Sequence, residues 1–193
     1  MKIENVQVYG LEESIRRAKF PMSVDTASLN SELTKGIKAL AQSKSGEGHD
    51  NWLNGVVVQF DLTFTIKVWT EAERYHFFDF VSSQSTMHRV AQMDVRKQCN
   101  NYVTENTIAE VERLKKIYLN DKTPENYLTL LYNIPVGFQL TAGMTTNYRQ
   151  LKTIYKQRKT HRLPEWRDFC KWIESLPYSE LIIGKGGNEN GCN

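Results

Sequence analysis

The chain has 193 residues, of which 40% are hydrophobic, 11% aromatic and 24% charged, the profile of an ordinary globular protein and not of a disordered, collagenous or coiled-coil chain. Its 25 Lys+Arg against 22 Asp+Glu leave a formal charge of +3, too small to imply nucleic acid, so any phosphate site has to be argued locally. Cys99, Cys170 and Cys192 are odd in number, widely spaced and lack a CxxC or Cys/His pattern, which excludes a disulfide framework or zinc as the working reading and favours a reducing cytoplasm.

Residues 3–9 alternate apolar and polar positions (Ile3, Val6, Val8) and predict a short strand without the apolar core of a secretion signal. Leu11 to Ala18 predicts a helical turn or two that ends before Phe20-Pro21. From Ser28 to Gln42, Leu29, Leu33, Ile37 and Leu40 recur at helical spacing, and Ser43-Lys44-Ser45-Gly46-Glu47-Gly48 breaks the chain as a flexible loop. The clearest signal follows: Val56, Val58, Phe60, Leu62, Phe64 and Ile66 alternate with polar or smaller residues, predicting one long half-buried strand over 56–67.

Trp69 to Val81 has mixed helical spacing, and Ser82 to Thr86 is a hydroxyl-rich break before His88-Arg89. Thr107 to Leu119 predicts an amphipathic helix with Glu110 and Glu112 early and Lys115 and Lys116 late, as the helix dipole prefers. Thr123-Pro124-Glu125 starts another; Thr146 to Gln157 and Leu163 to Leu176 predict two more, with Pro164 in a first turn. No apolar run approaches the ~20 residues that span a bilayer. These elements describe one α+β domain over 1–183, a central long antiparallel strand flanked by helices, with a disordered Gly/Asn-rich tail over 184–193.

Phosphate-cradling GxxxxGK[ST], dinucleotide GxGxxG, HExxH and GxSxG are all absent, so the chemistries that those patterns serve lack their signatures. His49, His76, His88 and His161 match no standard metal spacing. Two segments remain. Ser82 to Arg89 gathers hydroxyls, an amide and two cationic donors in a density that suits an anion such as a nucleotide phosphate, although an ordinary Ser-rich loop has the same composition. Asn147 and Arg158, eleven residues apart, would share one helix face, with Arg149 about 160° away from it; alternatively Asn147 caps the helix and Arg149 turns toward a site beside the helix entrance. A solvated basic face of Arg149, Lys152, Lys156, Arg158 and Lys159 is the plainer alternative.

Residues 49 to 176 resemble the flavin-dependent thymidylate synthases. The similar features are His49 before Trp52-Leu53, the long strand 56–67, the Ser-rich segment, and a late Pro135…Thr141…Asn147-Tyr148-Arg149…Arg158…Glu165-Trp166 pattern. The resemblance implies that Asn147 and Arg149 match an Asn-x-Arg pair contacting the flavin, and that Arg158 matches an arginine holding deoxyuridylate. His49 and Arg74 are the other flavin-side candidates. The family's Arg-His-Arg followed by Ser-x-Asn-Glu-x-Ser-x-Arg is here only Glu73-Arg74-Tyr75-His76 and then Ser83-Gln84-Ser85-Thr86-Met87-His88-Arg89. In that comparison Gln84 stands for the Glu, Ser85 or Thr86 for the substrate-side Ser, and His88 or Arg89 for the phosphate-binding Arg.

Two functions follow from the resemblance. One is a homotetrameric flavoprotein enzyme that binds FAD and reductively methylates dUMP to dTMP with folate and NADPH, the protein supplying position and electrostatics. The other is a binding protein on the same scaffold, for example of a phage or mobile element, that captures a nucleotide without turning it over. The altered Arg-His-Arg stretch is the feature that favours the second.

Overall fold

The structure, a computed structural model, describes residues 1–44 and 46–184. Gly184, at φ +83°, ends the last helix; the remainder of the tail expected to be disordered lies outside the described residues. In chain order the elements are β1 (Lys2–Tyr9), α1 (Leu11–Arg17), α2 (Lys35–Ala41), β2 (Val57–Thr65), α3 (Ile66–Ala72), β3 (Phe78–Ser83), α4 (Thr86–Arg89), α5 (Val95–Gln98), α6 (Glu105–Asn120), α7 (Pro124–Tyr132), β4 (Gln139–Asn147), α8 (Tyr148–Arg158), α9 (Pro164–Glu174) and α10 (Glu180–Ile183). The strands form one antiparallel sheet in the order β1-β2-β4-β3, so the chain has the mixed α+β architecture expected of it. Among the described residues no helix is long and apolar enough to cross a membrane.

Two compact units can be distinguished, and every strand contributes residues to both. The first comprises residues 1–4, 61–74 and 80–143. Its core is a cluster of Val90, Ala91, Val95, Ile108, Val111, Leu114 and Leu130. The inward positions of α6, spaced by three, place Ile108, Val111 and Leu114 in that cluster. Thr104 and Thr123 cap α6 and α7 through their hydroxyls, each accepting the N–H three residues on. Trp69 Nε1 donates to Leu140 O at 3.1 Å, and its ring lies 4.9 Å from that of Phe80.

The second unit comprises residues 5–60, 75–79 and those from Met144 onward. Phe60, Phe78, Phe169 and Trp172 form a ring cluster with centroids 4.7 to 6.3 Å apart for the pairs in contact, and Trp166 is fully buried beside Phe169. Ile15, Ala18 and Ile37 make a smaller core in which Leu33 and Trp52 also pack. Gly10 opens α1 at φ +71°, where a Cβ would sit 2.5 Å from Gly55 O, so both the backbone conformation and the close approach require glycine.

Four boundaries differ from the sequence reading, each for a local reason. The helix expected over 28–42 is helical only from Lys35, because the Thr34 hydroxyl accepts the Ile37 N–H and so caps it. Upstream, the Asn30 side chain accepts from Glu32 N and from Lys19 Nζ, holding a turned loop in which Leu33 is still apolar-packed. The strand expected to reach residue 67 stops at Thr65, whose hydroxyl caps α3. The stretch 69–81, of mixed spacing, divides into the end of α3 and the start of β3, with Phe77 at φ +59° between them. The helix expected from Thr146 begins at Tyr148, since Thr146 and Asn147 finish β4. That strand has no counterpart in the sequence reading: Ala142, Met144, Thr146 and Asn147 are its buried positions, and of these Met144 alone is a large apolar residue.

Candidate functional site

The junction where β4 becomes α8 carries the most organised polar chemistry. Asn147 has an extended backbone and its side chain accepts the Gln150 N–H at 2.8 Å, so it is the helix cap, the second of the two placements that the sequence allowed. Tyr148 is fully buried and its hydroxyl donates to Pro177 O at 2.5 Å, which pins the first residue of α8. Burial, with Glu180 nearby, pushes that phenol well above its ordinary range.

With the cap fixed, Arg149 turns to Asp50, donating from Nε to Oδ1 at 3.2 Å. Lys152, one turn on, reaches the other oxygen at 2.7 Å and also the carbonyls of Ala41 and Ser43 at 2.8 and 2.9 Å. Asp50 is only 5% exposed. Two cations, Arg149 and Lys152, thus meet the two oxygens of this buried carboxylate and offset the cost of removing it from water. The Arg149 terminal nitrogens make no further bond among the described residues, so that side chain, 37% exposed, keeps donors to offer.

These groups wall a cavity of about 740 Å³. Among the described residues its lining includes Lys44, Arg149, Lys152 and Lys156 against the one acidic residue Asp50, together with Asn54, Asn147, Gln150, Gln157, His76 and Phe77. Such a space is the size of a small-ligand pocket, and its excess of cations and amide donors suits a ligand with phosphate and a heterocycle.

Arg158 closes α8 in a different setting. It is 7% exposed, its Nε donates to the Tyr75 hydroxyl at 2.6 Å, and its guanidinium lies 4.8 Å from the Trp166 ring centroid and 5.4 Å from that of Tyr75. Tyr75 in turn donates to Gln157 Oε1 at 3.0 Å. Arg158 is therefore not part of the cavity lining; it touches it through Tyr75 and Gln157. His49 sits exposed in the turn before Asp50, outside the lining, and Arg74 is exposed in the first unit.

The Ser82–Arg89 stretch belongs to the first unit. Ser82 and Ser83 finish β3, and the break expected at Ser82 comes only at Gln84-Ser85. Gln84 prolongs the pairing with β4: its N–H donates to Thr141 O, and Thr141 N–H donates to Gln84 Oε1, both at 2.9 Å. Ser85 precedes α4 without capping it through its side chain. Thr86, His88 and Arg89 are in that turn, whose Thr86 and Met87 carbonyls accept from the Tyr127 hydroxyl. His88 and Arg89 are exposed.

The structure thus brings Asn147 and Arg149 into one cavity wall and keeps Gln84, Ser85, Thr86, His88 and Arg89 together on one segment. Sequence reasoning missed Asp50, Lys44, His76 and Phe77 as lining residues, and took Lys152 and Lys156 for a solvated face. No spacing rule would have found Asp50, which lies about a hundred residues from its partners. The two thiols among the described residues are not candidates for nucleophiles: burial pushes Cys170 up to about 12 and Cys99 upward as well.

No protein-family profile matches the chain, and no curated protein matches it by sequence. In three dimensions it is similar to two crystal structures of the flavin-dependent thymidylate synthase of Helicobacter pylori, both with FAD and dUMP. The TM-scores are 0.75 and 0.76 over 96% of this chain and 98% of those chains, at 12% sequence identity. The shared property is the fold.

Proposed function

We propose that this chain is a nucleotide-binding protein of the flavin-dependent thymidylate synthase type, with the cavity at the α8 entrance holding the phosphate-bearing part of FAD or dUMP. The observation that carries the reading is the lining itself: four cations against one carboxylate, with Asn147 and Arg149 among them, in a space of about 740 Å³. Those two residues are the ones that the sequence resemblance assigned to the flavin. The residues present fit such a group, since the Lys and Arg side chains suit its phosphates and the amides its ring edges.

In the enzymatic form of this reading the protein converts dUMP to dTMP with FAD, folate and NADPH. FAD, when bound, supplies hydride chemistry; the chain's own residues bind and orient. Arg149 and Lys156 attract phosphate, Asn147 fixes the direction of α8, and Asp50 holds Arg149 and Lys152 in place. Each unit has its own further candidates: in the second, Arg158 toward a nucleotide and His49 toward the flavin; in the first, Gln84, Ser85, Thr86, His88 and Arg89 toward a nucleotide and Arg74 toward the flavin. The free thiols of Cys99 and Cys170 suit a cytoplasmic protein. Assembly into a tetramer is what the resemblance implies; β3, an edge strand that exposes Phe80 and Val81 at 49% and 64%, is a surface that association of some kind would cover.

A second reading, capture of a nucleotide without turnover, is favoured by a specific observation. Tyr75 and His76 replace the last two residues of the family's Arg-His-Arg, and Arg158 is engaged with Tyr75 and Trp166. Fewer cations beside a flavin favour its reduced, anionic form less.

The test is to denature freshly purified protein, record the spectrum of what is released and identify it by mass, then titrate the emptied, refolded protein with FAD and with dUMP. Released or bound flavin supports the enzyme and leads to a methyl-transfer assay on dUMP. Nucleotide without flavin supports capture. A protein that carries neither and binds neither overturns the proposal.

A further inference from the structure

Among the described residues three that are not glycine have left-handed backbones: Asn5, Phe77 and Tyr178. Of these Phe77 alone lines the cavity at the α8 entrance. Asn tolerates this conformation and glycine adopts it freely, whereas an aromatic residue at φ +59° is strained. A strained residue persists only where its surroundings over-determine it.

Here both neighbours do so. Tyr75 is held through its hydroxyl by Arg158 and Gln157, and its ring lies 5.9 Å from that of Trp166. Phe78 is 4% exposed, with its ring 6.3 Å from Phe60 and 5.7 Å from Phe169. Between these anchors the chain has two residues in which to turn, His76 and Phe77, and both are among the residues that line the cavity. Phe77 contributes little to the core, being 63% exposed. Glycine would make the same turn without strain, so folding does not account for the ring.

We infer that Phe77 is a stacking platform for the planar heterocycle of the bound nucleotide, an assignment that rests on the reading above and names the surface that meets the base. An aromatic face supplies affinity without a hydrogen-bond code, because every base and the isoalloxazine ring present a π-face. Lys44, Lys156 and the spare donors of Arg149 then suit the phosphate, so one wall of this cavity takes the charge and Phe77 takes the ring.

The experiment measures the affinity of the full chain and of four variants for dUMP and for FAD, with melting temperature and oligomeric state recorded in parallel. Phe77→Ala and Phe77→Leu are expected to weaken at least one of the two ligands by about tenfold, and Phe77→Trp to retain it. Phe77→Gly is expected to lose affinity in the same way while melting within about 2 °C of the wild type or above it, since it relieves the strain. Leucine binding as well as phenylalanine overturns the platform, because apolar bulk then suffices. Unchanged affinity in Phe77→Ala overturns it too, and a change of oligomeric state in that variant would mark the ring as an interface residue. A clear fall in the melting temperature of Phe77→Gly also overturns it, as the ring would then serve the fold. Wild-type protein that binds neither ligand overturns the nucleotide reading and this inference together, an outcome distinct from the other three.

Discussion

The α8 entrance and the Ser82–Arg89 segment both carry polar, cationic residues that suit a phosphate, yet they are built differently. At the entrance three of the groups are held by the fold: Asn147 caps a helix, Asp50 is nearly inaccessible, and Lys152 binds that carboxylate and two carbonyls. In the segment only the backbone and Gln84 are anchored, through Thr141 and Tyr127, while His88 and Arg89 stand in solvent. Where binding groups are also structural, ligand affinity and stability rise and fall together; where they are not, the two separate.

The sharpest way to break that contrast is at Asp50. Asp50→Ala leaves Lys152 with its carbonyls and no counter-ion and frees Arg149, and the expected loss is about 3 kcal/mol of unfolding free energy by urea titration. Nucleotide affinity should fall with it, because both cations lose their positions. An Asp50→Ala protein as stable as the wild type would mean that the entrance is not held by this ion pair, and the contrast with the segment would collapse.

The same contrast explains how much could be read in advance. β1, β2, α6, α7 and α9 were legible because apolar patterning and, at Thr123-Pro124-Glu125 and Pro164, helix-start residues announce them locally. β4 was not, since among its buried positions Ala142, Met144, Thr146 and Asn147 only Met144 is a large apolar residue. Leu29 and Leu33 kept helical spacing in a stretch that Asn30 turns into a loop, a case of local hydrogen bonding overriding periodicity. At the site, Asn147 and Arg149 were found because they are neighbours in sequence. Asp50, Lys44 and Phe77 were invisible, because what makes them candidates is a partner or a cavity supplied by the fold.

Asn147 offers a finer cut. Asn147→Ala removes a cap bond at 2.8 Å and should lower stability by about 1 kcal/mol. Asn147→Ser keeps a capping oxygen and removes only the amide. If stability holds in the serine variant while affinity for FAD or dUMP drops, the amide touches the ligand; if both hold, Asn147 is a positioning residue and the entrance depends on Arg149 and the lysines.

The smallest expected stability effect is at Arg89, and it tests the other half of the contrast. Its side chain is exposed and makes no bond to another described side chain, so Arg89→Ala should change unfolding free energy by no more than about 0.5 kcal/mol. If Arg89 meets the nucleotide phosphate, the same variant should weaken dUMP by about 1.5 to 3 kcal/mol, the worth of a charge-assisted bond. Free energy of binding would then move while that of folding does not, the reverse of Asp50. A variant that binds dUMP as tightly as the wild type would remove Arg89 from the site, and a loss of stability would show that the segment is as structural as the entrance.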